Sequence, residues 1–562
     1  MGGWRPTHWP SLLLALLLAL PRPGPGGGGG ADAVQSIDQA LASCIWRVEV
    51  SSEAMLRSAW AIAVGDDGLT DGPVCITLTS TIELDLAAHG PLHTTESPLH
   101  MIVLVGADAP DGGGCCAGGA SPADGGVPAT GLFAVRTPVA VGAGGGDDAS
   151  KDGEEQGGVA SALDDDDANG ASGVERSSPL LVVDGSGYVM LVNLTLDGGY
   201  DGAMLHRGDA PSSSSPPRAL PPPPARGGVI DLPSTSSAHV SARRVLVRGG
   251  RAVDGGGCAV GKGAVLTLEG SALAGNAATA RGGGLFQVGN GIVLLTDTLL
   301  VGNVAATSGG AAHVAGESIY TELVLERCML RCNGAGPGVG AALFAQNAWV
   351  RLTDVSFEHA AVVVPVFDDS AADVATADGD RGAAAGPYDD DDLSIGALLA
   401  TLDGMVAPAL AAAYPGMVVL VGARLDAVRV KIRTSAPFGS GDGGCASPVA
   451  SRAPLAGVTA ITATRAPAPL IAAVAGSTID LANVDAHADA DDLTEPTFLQ
   501  MRDPDEALVK DSRFVLTWHA GEIPSGGGSS DAADDRGAHA KDNDVMAAVV
   551  SLETSRPGLY AR

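Results

Sequence analysis

Four stretches decide the fold: VLTLEGSALAGN at residues 265–276, IVLLTDTLLVGN at 292–303, ELVLERCMLRCN at 322–333 and WVRLTDVSFEHA at 349–360. Laid over one another, they put Leu268, Leu295, Leu325 and Leu352 in one column, at spacings of 27, 30 and 27 residues. Five residues on, Leu273, Leu300, Leu330 and Phe357 coincide. Three further on, Asn276, Asn303 and Asn333 coincide, and Ala360 breaks that column. Each unit then reaches glycines and a small apolar run: Gly256-Gly257-Cys258, Gly283-Gly284-Leu285, Gly309-Gly310-Ala311 and Gly338-Val339-Gly340-Ala341.

Inside each unit apolar residues alternate with period two, in short runs separated by Gly- or Asn-bearing bends, which is the pattern of strands. A unit this small cannot bury its apolar face alone. If successive turns of a coil stack, with each strand paired in parallel to the one below at about 4.8 Å, every inward Leu, Val or Phe is buried against its counterpart. Asn recurring at one bend fits a left-handed position with its side chain bonding along the column, and glycine pairs fit bends where a Cβ would clash. The unit is too short for a strand–helix–strand crossover, an antiparallel sandwich would not force like residues to stack, and the leucine-rich-repeat signature is absent. The expected fold class is all-β, a single-stranded parallel β-helix (solenoid) carrying disordered Gly/Pro/Asp-rich insertions.

Outward from the repeat, 79 Gly and 35 Pro in 562 residues, with only 4% aromatic residues, argue against a helical bundle or a conventional α/β enzyme. The formal net charge of −32 disfavours nucleic acid and anionic membrane surfaces as partners. Residues 1–33 read as a signal peptide: Arg5 and His8 precede the apolar run Ser11–Leu20, and Ala31-Asp32-Ala33 is an A-x-A cleavage pattern. No membrane span is expected in the mature chain, since the best candidate, 395–423, is broken by Asp403, Pro408 and Pro415. The eight Cys match no zinc spacing and suit a few disulfides plus buried thiols in a secreted, extracellular or cell-surface protein. Asn193-Leu194-Thr195 is an N-glycosylation sequon, with Asn193 as acceptor. The expected organisation is an N-terminal helical cap at 34–73 and a β-helix over 74–360 with low-complexity insertions near 111–177 and 207–228. Degenerate further coils with an Asp-rich insertion follow at 361–490, then a polar, largely disordered tail at 491–562.

The L-x-x-N element at Leu273–Asn276, Leu300–Asn303 and Leu330–Asn333, followed by glycine pairs, resembles the F-x-x-N and G-G-A repeats of the chlamydial polymorphic outer-membrane proteins. More broadly it resembles the pectin-lyase-like right-handed parallel β-helix superfamily. That resemblance implies a right-handed coil and, for its enzymes, polysaccharide cleavage in a groove along the outside. The polygalacturonase-like members carry N-T-D, D-D, H-G and R-I-K elements in that order. Here Thr296-Asp297 and Thr353-Asp354 follow Leu, Asp368-Asp369 lies in a low-complexity stretch, His89-Gly90 comes too early, and Lys431-Ile432-Arg433 is reversed. The hydrolase set does not assemble.

One column gathers charge. Asp297, Arg327 and Asp354 should stand about 5 Å apart on one face, either as a ligand- or Ca²⁺-binding patch or as a solvent-facing ladder of opposite charges. The Asp164–Asp167 and Asp389–Asp392 runs lack the spaced ligands of a calcium loop. No catalytic residues, metal ligands or cofactor are expected, Ca²⁺ being the single cation the sequence leaves open. The function these residues support is a secreted or surface β-helix that binds a polysaccharide or a cell-surface protein. The competing reading is an extracellular polysaccharide lyase or glycoside hydrolase, and a third is a fragment of a larger surface protein.

Overall fold

In the computed structural model each turn of the chain lays one strand on each face of a coil, and like residues fall on top of one another. The structure describes residues 41–65, 73–94, 101–107, 130–135, 178–199, 224–233, 237–317, 320–336, 339–358, 361–367, 416–434, 458–463, 470–489, 498–502, 506–517 and 550–553. Among these, the first sheet has 12 strands, from Trp46–Val50 to Glu506–Lys510, and the second and third have 11 each. The second runs from Ile82–Asp85 to Arg513–Thr517, and the third from Leu92–Thr94 to Val550–Glu553. A fourth, shorter sheet of 6 strands, Arg251–Asp254 to Val458–Ala463, lies between the second and third in the turns that carry it. All pairings are parallel except Ala361–Phe367 against Val458–Ala463. The chain is a parallel β-helix, and a right-handed winding is the sense that parallel crossovers take almost without exception.

The register is that of the repeat. Leu268 pairs with Leu295, Leu295 with Leu325 and Leu325 with Leu352. Leu273, Leu300, Leu330 and Phe357 stack in the second sheet. All eight side chains are buried in one apolar core that extends from Val50 to Met501. One residue in the left-handed region turns the chain from the first sheet into the second on rung after rung: Asn193, Arg244, Gly270, Asp297, Arg327, Asp354, Arg429, Asn483 and Asp511, with φ between 46° and 56°.

The Asn column departs from expectation in its backbone. The left-handed residue is the one before it, Gly275, Gly302 or Cys332, and the asparagines point inward. Asn276 Nδ2 donates to Asn303 Oδ1 at 3.0 Å, and Asn303 Nδ2 donates to Asn333 Oδ1 at 3.0 Å. Placing the turn on the preceding residue leaves the amide free to satisfy buried backbone, as when Asn303 Nδ2 donates to the Leu273 carbonyl.

Four boundaries need correction. Trp46–Val50, inside the expected helical cap at 34–73, is the first strand of the first sheet and pairs with Val74–Leu78. The cap is the helix α1, Glu53–Val64, whose Leu56, Ala59, Trp60 and Ala63 are buried against the first turn while Trp60 Nε1 donates to the His93 carbonyl at 2.9 Å. Within the span 111–177 the strand Gly131–Val135 belongs to the second sheet, and residues 224–228 of the second expected insertion run along a corner of the coil. The tail expected to be disordered from 491 contributes Leu499–Arg502, Glu506–Lys510, Arg513–Thr517 and Val550–Glu553. Its alternation is present but cut into short pieces by polar linkers.

The expected signal peptide and the Asp-rich runs lie outside the described residues. Cys44 and Cys75 form a disulfide. Cys258 and Cys328 are buried thiols that burial pushes up to about 12, so neither is a reactive thiolate. Among the described residues no helix is long and apolar enough to cross a membrane.

Candidate functional site

The structure brings Asp297, Arg327 and Asp354 onto successive rungs at the corner between the first and second sheets. Arg327 grips Asp297 with both arms of its guanidinium, at 2.7 and 2.9 Å, and also meets Glu326. Arg429, one rung beyond, grips Asp354 in the same way, at 2.5 and 2.7 Å, and these bonds hold the Asp354 carboxyl below the usual carboxylate range. Both carboxylates therefore already spend their oxygens on guanidinium groups, and all four side chains are exposed. Asp297→Ala is expected to change the unfolding free energy by less than about 1 kcal/mol, as chemical denaturation would measure. Asn193 occupies the same column two rungs before Gly270, with Thr195 of its sequon buried in the second sheet.

A second constellation sits at the re-entrant corner where the fourth sheet turns into the third. There the chain reads RGGVID at 226–231, DGGGCA at 254–259, RGGGLF at 281–286, SGGAAH at 308–313 and VGAALF at 339–344. The second residue of each is a left-handed glycine (Gly227, Gly255, Gly282, Gly309, Gly340) with φ between 57° and 72°. The turn is so tight that a Cβ on Gly283 would lie 2.4 Å from the Val304 carbonyl oxygen and 2.5 Å from that of Gly310. This fold-back sets the first and last residues of each segment side by side. Stacked rungs turn the pairs into two adjoining columns. Arg226, Asp254, Arg281, Ser308 and Val339 run along one wall. Asp231, Ala259, Phe286, His313 and Phe344 run along the other.

Across the trough the pairs are chemically matched. Arg226 Nε lies 3.9 Å from Asp231 Oδ1. Arg281 binds Asp254 of the neighbouring rung at 3.0 and 2.8 Å and lies 4.9 Å over the Phe286 ring. Ser308 Oγ and His313 Nδ1 are 2.8 Å apart. His313 stacks between Phe286 and Phe344, with centroids 5.5 and 4.6 Å away. Burial, and secondarily the Arg281 charge, hold the imidazole well below its usual range, so it is neutral at physiological pH. Asp231 is pushed up to about 6, chiefly by burial and also by Asp184, against the lowering effect of Arg226. Its Oδ1 is buried without a hydrogen-bond partner among the described residues. From the Val339–Phe344 rung onward the strip is apolar and buried, through Val419, Val421, Ala472 and Val474.

Sequence reasoning passed over this trough, although it singled out the glycines at its hinge. The usable signal was the spacing of five between the residues flanking those glycines. Among the described residues no group of three or more His, Cys, Asp or Glu is arranged to hold a metal ion.

No protein-family model matches the chain, and no curated protein matches it. Among solved structures, the A-module of a mannuronan C-5 epimerase from Azotobacter vinelandii aligns over 83% of this chain and 94% of its own, at 10% identity and a TM-score of 0.21. A superposition that loose carries no argument, and the parallel β-helix is established by the sheets themselves.

Proposed function

We propose that the protein is an extracellular or cell-surface β-helix that binds a polysaccharide lengthwise along the trough between the third and fourth sheets. The observation that carries this reading is the pair of adjoining columns. A linear polymer lying along the axis would meet the ionic pairs Arg226–Asp231 and Arg281–Asp254 on rungs about 4.8 Å apart, while Ser308 and His313 on the next rung are buried beneath it. Guanidinium and carboxylate groups on a fixed sheet suit the hydroxyl and acid groups of sugars. The Cys44–Cys75 disulfide supports an oxidising compartment.

A polysaccharide lyase or hydrolase is the second reading, and Asp231 favours it. A carboxyl that exchanges its proton at about 6 beside an arginine has the properties of a general acid or base. The exposed Asp297–Arg327–Asp354 ladder remains a Ca²⁺ candidate only if the cation displaces two bidentate guanidinium groups. Millimolar Ca²⁺ is accordingly expected to leave the thermal midpoint unchanged, and a rise abolished by Asp297→Ala would restore that column as a cation site.

The test is affinity electrophoresis of the full chain through neutral and acidic polysaccharides, with wild type beside Arg281→Met, which keeps the stem over Phe286 and removes the charge. Retardation by at least one polymer, weakened about five-fold or more in the variant, is the expected result. Equal retardation of both proteins, or none, removes the trough as the site. New ultraviolet absorbance from an unsaturated sugar product would move the assignment to a lyase.

A further inference from the structure

Asp231 is the one carboxylate of the trough that the fold leaves poorly compensated. Asp254 on the facing wall is held by two bonds from Arg281, whereas Asp231 meets Arg226 at 3.9 Å and keeps a buried oxygen without a hydrogen bond among the described residues. Its neighbours above and below in the third sheet, Ala259 and Val182, offer no charge. Among the described residues, the ionisable groups facing it are Asp184 from the turn leaving the Leu181–Val183 strand and Arg226 from the facing wall, where Asp254 is the next residue along. His93 lies two rungs away along its own column.

We propose that Asp231 sets the charge of the trough by taking up a proton, so that acidification shifts this strip one unit toward positive and strengthens its hold on an anionic polysaccharide. The inference rests on the trough being the polysaccharide site. Protonation gives the buried oxygen a neutral form that needs no counter-charge, and it removes a negative charge about 4 Å from the Arg226 guanidinium. An anionic sugar group approaching Arg226 at neutral pH meets the carboxylate as well, and after protonation it meets the guanidinium without that opposition.

The linkage has a definite sign. Because the folded chain binds this proton more readily than the unfolded chain, ionising Asp231 costs stability. The contribution is complete below the ordinary Asp value of 3.8 and is lost as pH rises through about 6. Asp231→Asn avoids the loss. Its thermal midpoint should equal wild type near pH 4 and exceed it at pH 7.5.

The experiment measures both limbs on the full chain. Ligand-free melting of wild type and Asp231→Asn is followed from pH 4 to 7.5. Binding of dextran sulfate, whose charge does not titrate in this range, is measured at pH 4.5 and 7.5 at fixed ionic strength, with uncharged dextran as control. Asp231→Asn should bind dextran sulfate about five-fold more tightly than wild type at pH 7.5 and equally at pH 4.5. Arg226→Gln, which leaves Asp231 in place, should lose the tighter binding that wild type gains at pH 4.5. A melting difference that does not change with pH overturns the proposal while leaving the trough as a binding site. A pH-dependent melting difference with no polysaccharide bound at either pH overturns the proposal together with the reading it rests on.

Discussion

Leu300→Asp is expected to abolish the cooperative unfolding of the central rungs, leaving a protein with reduced strand signal in circular dichroism and fast amide exchange around residues 272–331. Leu300 is fully buried, with Leu273 in register on one side and Leu330 on the other. Removing the isobutyl group from such a site costs about 2–5 kcal/mol through lost burial and the cavity left behind. The introduced carboxyl must then stay protonated in an apolar stack, and each unit of upward pKa shift costs about 1.4 kcal/mol at a pH where the unfolded chain ionises it. The sum is comparable with the whole stability of an ordinary domain, about 5–15 kcal/mol. A coil transmits the damage because each rung is held only by its two neighbours. Val301→Asp is the matched control. Val301 is half-exposed in the same strand, its side chain points to the other face, and its variant should melt close to wild type. Equal melting of wild type and Leu300→Asp would show that Leu300 does not face the core.

The inward columns were legible because burial demands the same answer on every rung. Leu268, Leu295, Leu325 and Leu352 do one job in one environment, and repetition at nearly constant spacing is what a reader of sequence can detect. The spacing fails where insertions interrupt the coil: Phe357 pairs with Ile432 across a gap that hides the next rung, although the strand Lys431–Thr434 is regular. The trough was illegible for the opposite reason. Its two walls carry Arg/Asp, Asp/Ala, Arg/Phe, Ser/His and Val/Phe in turn, so stacking juxtaposes unlike residues and leaves no column to align. Only the glycines that close the corner repeat, and they repeat for a steric reason that says nothing about chemistry. Structural positions announce themselves by sameness, whereas this site is made by difference.

The asparagine ladder tests whether sameness on the inside is itself energetic. Asn303 is fully buried, and its Oδ1 accepts from the Asn276 backbone N–H at 3.1 Å and from Asn276 Nδ2 at 3.0 Å. Its Nδ2 donates to the Leu273 carbonyl at 2.9 Å and to Asn333 Oδ1 at 3.0 Å. Asn303→Leu conserves size and removes every one of these bonds, stranding a backbone N–H and a carbonyl in the core along with the facing amide groups of Asn276 and Asn333. Each stranded group costs about 1–3 kcal/mol, so a loss above about 3 kcal/mol is expected in denaturant unfolding even though the new side chain is more apolar. The same groups are shared along the column, so the losses should not add. Asn276→Leu in the background of Asn303→Leu removes a side chain already deprived of its main partner, and the double variant should lose at least about 0.5 kcal/mol less than the sum of the two single losses. Strict additivity would mean that the three amides act rung by rung, and that the ladder contributes register without cooperativity.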